Sequence, residues 1–149
     1  MLYTVYMDSQ QPPSVDELEQ DQQVALFSIS TVFPFRIFPT KISVDKKKID
    51  IIHELFIGSK QIQSILIVDV MNVVVETNLF FAKLRIHDKL PMHGSIVVEY
   101  LPRAGALKMR RIIEGLLVGD RSHVDTSKVP SRKLASQMER IGRAKMTKS

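Results

Sequence analysis

Three consecutive lysines, Lys46, Lys47 and Lys48, stand between two apolar alternations in the stretch "VDKKKIDIIHE", with Lys41 a few residues upstream. Cations at this spacing can grip phosphate on a lipid headgroup or a nucleic acid, or form the solvated tip of a hairpin. Exposed lysines by themselves contribute a salt-screened field rather than a shaped site, so a charged turn with a loose pull on anions is the expectation. A second group is "VFPFRIFP", which sets Phe33, Phe35 and Phe38 beside Pro34 and Pro39. Aromatic side chains at alternating positions can enter a membrane interface, bind a peptide or a second copy, or pack an edge strand on its own sheet. Edge-strand packing is the expectation here.

The third group lies in the tail. Leu134, Met138 and Ile141 fall at helical spacing, with Arg132, Lys133 and Arg140 between them. Such a segment could neutralise phosphates, with an affinity that falls steeply as salt rises. It could equally dock its apolar stripe on the domain, on another subunit or on a lipid surface. No aromatic ladder interleaves with the basic residues, which favours docking over nucleic-acid binding.

The residues that could do covalent or metal chemistry are sparse. His87, Asp88 and His93 straddle a proline loop, without the helical pair or tight knuckle that zinc favours. The chain has no cysteine, hence no disulfide framework and no thiolate nucleophile. Neither a nucleophile elbow nor a glycine-rich phosphate loop before a helix is present. No catalytic residue, metal, cofactor or small-molecule substrate is expected.

The elements that must position these groups follow from periodicity. "TKISVD" and "IDIIHELF" alternate apolar and polar residues on either side of the lysines, which predicts a hairpin turning near Asp45 to Lys47. "KQIQSILI", "VDVMNVVVETN", "FAKLRIH" and "SIVVEYL" read as further strands, separated by Gly58-Ser59, Asn78 and the loop "DKLPMHG". After Pro102 the period changes once. Met109, Ile112, Ile113 and Leu116 make a helical stripe, while Lys108, Arg111 and Glu114 or Gly115 point elsewhere and Gly119 marks the stop. Six or seven strands followed by one amphipathic helix predict a mainly β fold, an antiparallel sheet system with the helix over its open end. At the front, Ser14 and Glu17 form a capping box for a short helix over about Val15 to Gln23.

At 149 residues one domain is expected: 1–31 as an acidic N-terminal extension, 32–119 as the folded domain, and 120–149 as a basic linker with a short helix. Residues 1–30 carry five acids and no Lys or Arg, whereas residues 121–149 carry eight Lys and Arg against two acids. Such asymmetry suits a tail that meets an anionic surface, or two termini that attract each other. The most apolar N-terminal run, residues 24–39, is broken by two prolines and Arg36 and is shorter than the roughly 20 residues a spanning helix needs. No secretory signal is expected, and a cytoplasmic protein, peripheral to the membrane at most, is the expectation.

The wording "SILIVDVMNVVVET", followed by "FFAKLRI" and then by "IVVEYLPRAGALKMRRIIEGLL", resembles the bacterial pleckstrin-homology-like (PH-like) domain family over roughly Val32 to Val118. The resemblance implies a bent antiparallel sheet or barrel of about seven strands in two near-orthogonal layers, capped by the C-terminal α-helix. It also implies a binding or self-assembly module with a protein partner or homo-oligomer, and no enzyme. Lipid-binding PH domains converge cations on phosphate from both strands of a hairpin. Here Lys41 and Lys46 to Lys48 supply only the first half, because "IDIIHELF" returns without Lys or Arg and offers His53 alone.

Overall fold

Alternating β-branched residues build two antiparallel sheets in the computed structural model, which describes residues 24–34, 37–90 and 94–147. The first sheet has the order β1 (Phe27–Ser30), β2 (Thr40–Val44), β3 (Lys48–Glu54), β4 (Lys60–Leu66). The second has the order β5 (Val70–Thr77), β6 (Phe81–Asp88), β7 (Ser95–Pro102). The sheets do not close into a barrel. In the β2–β3 hairpin, Ile42 lies opposite Ile51 and Val44 opposite Ile49, so four branched side chains share one fully buried face. In the second sheet, Leu84 and Ile86 of β6 oppose Val75 and Val73 of β5 and point the same way.

The aromatic segment corrects the expected first strand. The strand is "FSIS", Phe27–Ser30, paired with β2 through Phe27 opposite Val44 and Ile29 opposite Ile42. Phe27–Ser30, within the expected extension 1–31, therefore belong to the sheet. Val32 to Pro34 and Ile37 to Pro39 lie outside any strand, and Phe33 and Phe38 are exposed instead of packed as an edge strand. The reason is local: Pro34 and Pro39 cannot donate to a ladder, whereas "FSIS" leaves every amide available. The loop is closed where the Thr31 N–H donates to the Thr40 carbonyl and the Thr40 N–H donates to Thr31 Oγ1, both at 3.0 Å. Phe35, His93 and the expected helix over Val15 to Gln23 lie outside the described residues.

A bulge sets the phase of β7. Leu84 pairs with Val98 but Ala82 with Leu101, so Lys83 faces two residues, Glu99 and Tyr100. Tyr100 takes φ +59°, and the extra residue returns Leu101 to the core side three positions after Val98. The Tyr100 carbonyl accepts from the Val32 N–H at 2.9 Å, tying the second sheet to the end of β1.

Helix α1 (Arg103–Arg121) buries the expected Met109, Ile112, Ile113 and Leu116 against the sheets. It runs past Gly119. The Val124 N–H donates to the Gly119 carbonyl and the His123 N–H to the Asp120 carbonyl, each at 3.0 Å, the pair of bonds that defines a Schellman end. His123 holds the left-handed position at φ +54°, where glycine is the usual occupant. Replacing the exposed His123 by Gly is expected to stabilise the fold by about 0.5–1 kcal/mol, measured as a rise in the urea midpoint, while His123→Val lowers it.

Helix α2 (Ser131–Thr147) returns along the other face of α1. A Cβ built on Gly115 would fall inside the Met138 carbonyl, and one on Gly142 inside the Arg111 carbonyl. The two glycines are notches that let the helix backbones touch. Leu134 and Met138 close the contact, and Glu114, buried in α1, pairs with Lys145 of α2.

Candidate functional site

The lysine hairpin turns on an aspartate. Asp45 Oδ1 accepts from the backbone N–H groups of Lys47 and Lys48, both at 2.8 Å, an Asx arrangement that fixes the two-residue tip. The tip is not freely solvated, since Lys46 is only 7% exposed. Its Nζ donates to the Ser127 carbonyl at 3.3 Å, which joins the hairpin to the segment between α1 and α2. The Lys47 carbonyl accepts from the Ile67 N–H at 2.7 Å, so the backbone of the tip is also engaged. Lys48 Nζ lies 3.0 Å from Asp50 Oδ2, and the hydrogen bond and charge of Asp50 hold the ammonium above the ordinary lysine pKa. Lys41 sits on the outer face of β2, four residues from Asp45, about 13 Å along the strand. Lys48 is thus turned to Asp50 and Lys41 lies apart along the strand, whereas Lys46 and Lys47 line one cleft together with Asp120 and Thr126.

His53 is a structural link: its Nδ1 is 3.0 Å from the hydroxyl of the buried Thr40. His87 lies on β6 opposite Ser95. Among the described residues no group of three or more His, Asp or Glu side chains is placed to hold a metal ion. No helix among them is long and apolar enough to cross a membrane.

In the tail, α2 divides its residues by face. Leu134 and Met138 are buried against α1, while Ile141, Arg132, Lys133 and Arg140 are exposed. Glu139 takes Arg111 at 3.5 Å and Arg143 at 3.3 Å, so part of the positive charge is used inside the helix pair.

Two surfaces stand out, and beyond Phe33 and Phe38 the sequence does not single out their particular residues. The first is the outer edge of β4, which pairs only with β3. It exposes every residue except Ile65 and borders a cleft of about 430 Å³ with Gln63, Leu66, Leu90 and Ile96 among its walls. Absence of charge from Gln61 to Leu66 was the available signal, because edges are usually guarded by Lys, Pro or a bulge. The second is a set of apolar hairpin tips. Phe38 meets Phe56 edge-on at 6.2 Å, and Ile57 between them and Gly58 takes φ +60°. No family model matches this chain, and no curated protein matches it.

Proposed function

We propose that this chain is a non-enzymatic interaction module of PH-like architecture that works through protein contacts, first of all with a second copy of itself. The observation that carries this reading is the open β4 edge: seven residues long, exposed, and without charge or proline after Lys60. An unguarded edge is a template for another strand. A two-fold axis through Gln63 would set Gln61 opposite Ile65 and Ile62 opposite Ser64, with no like charges facing each other. The sheet–sheet–helix order and the cap by α1 support the PH-like assignment.

Light scattering over a concentration series is expected to move from the mass of one chain to that of two. Gln63→Lys, which places like charges at the axis, should hold the protein at one chain with its melting curve unchanged. A mass that never rises, or a dimer indifferent to Gln63→Lys, overturns the reading.

A second reading rests on the exposed row Arg132, Lys133 and Arg140: an electrostatic contact of α2 with nucleic acid or an anionic membrane. Duplex binding that weakens steeply with salt, and is lost in the triple Ala variant, would support it.

A further inference from the structure

Among the described residues, six large apolar side chains are more than 70% exposed: Phe33, Ile37, Phe56, Ile57, Leu79 and Phe80. All six stand on three hairpin tips, β1–β2, β3–β4 and β5–β6. The tips belong to one end of the molecule. Antiparallel order places the β1–β2 and β3–β4 turns together, and Phe38 against Phe56 and the Glu54 N–H on the Pro39 carbonyl at 3.1 Å join them. The β5–β6 turn is tied to the same loop through a chain of contacts. Val32 donates to Tyr100, whose ring meets Phe81 at 6.1 Å, and Phe81 meets Phe80 at 6.3 Å.

We propose that these three tips insert into the surface of a lipid bilayer. The side chains protrude from separate turns instead of lining a groove, a shape that suits a deformable surface better than a second rigid protein. Charge points the same way: residues 31–39, 55–59 and 78–80 contain no Asp or Glu and one Arg, on a chain of net charge +5. Lys41 and Lys60 are exposed where β2 and β4 leave the tips; of the acids beside the tips, Glu54, Glu76 and Glu99, the latter two are ion-paired with Arg85 and Lys83. Attraction to anionic headgroups brings the tips to the surface and apolar burial holds them there. Ile57 adds a separate sign. A β-branched residue at φ +60° is strained, and it is this residue whose side chain stands 85% exposed at the apex.

The inference concerns a surface distinct from the β4 edge, so the two can fail independently. The probe is flotation with vesicles of phosphatidylcholine and phosphatidylglycerol, using the full chain. Binding is expected to persist in about 1 M sodium chloride, where screening acts over about 3 Å. Phe56→Ser with Ile57→Asn, and separately Leu79→Ser with Phe80→Ser, should each lower the partition coefficient roughly tenfold or more. The first pair should leave the melting temperature unchanged or raised, because Asn tolerates the left-handed position. Gln63→Lys should bind vesicles as the parent does. Absence of vesicle binding, binding that vanishes in high salt, or binding indifferent to both tip variants overturns the proposal.

Discussion

Gly115→Ala and Gly142→Ala are each expected to separate α2 from α1, although alanine is the better helix former. In an exposed helix the change would add about 1 kcal/mol of stability. Here the new methyl meets a backbone carbonyl of the facing helix, Met138 for Gly115 and Arg111 for Gly142. A carbonyl cannot rotate aside as a side-chain tip can, so the helices must move apart. Overpacking of this kind costs about 3 kcal/mol or more, leaving a net loss of about 2 kcal/mol or more. Separation also breaks the Glu114–Lys145 pair across the interface. Urea denaturation gives the magnitude, and limited proteolysis in the segment 122–130 shows whether α2 is what comes loose. A gain in stability for either variant would contradict the close crossing.

Leu134→Ala is expected to cost about 3 kcal/mol, within the range for truncating a buried leucine, because Leu134 is 1% exposed and joins the core cluster from the tail. Ile141→Ala, at a position 37% exposed, should cost less than about 1 kcal/mol. A contrast between the two, read from urea midpoints, separates a docked helix from a tail that is merely helical. Equal, small effects would mean that α2 contributes little to the folded domain.

Period was enough to find most of the elements. Ile42, Val44, Ile49 and Ile51 announce the β2–β3 hairpin because alternation puts them on one face, and Met109, Ile112, Ile113 and Leu116 announce α1 for the corresponding helical reason. Four residues carry too short an alternation to announce β1; Phe27–Ser30 is a strand only through its pairing with β2. The aromatic stretch that follows has the more conspicuous composition, but Pro34 and Pro39 have no amide to give a ladder. The bulge at Tyr100 was equally hidden, since an inserted residue changes the phase of β7 without changing its composition.

Among the candidate sites, the sequence settled residue type and approximate element, while direction belonged to the tertiary structure. Lys46 and Lys47 are neighbours of one charge, yet one is buried beneath Ser127 and the other exposed, because the turn at Asp45 and the segment after α1 meet only in three dimensions. Arg111, Glu114 and Gly115 read as a polar face of α1, and so they are along one helix. That face becomes an interface because α2 carries Gly142, Met138, Glu139 and Lys145 at matching positions more than 20 residues away. Local order in this chain is governed by short-range periodicity, which a sequence displays directly. Burial, pairing and exposure depend on which distant segment arrives at each face, and they are decided when the sheets and the helix pair come together.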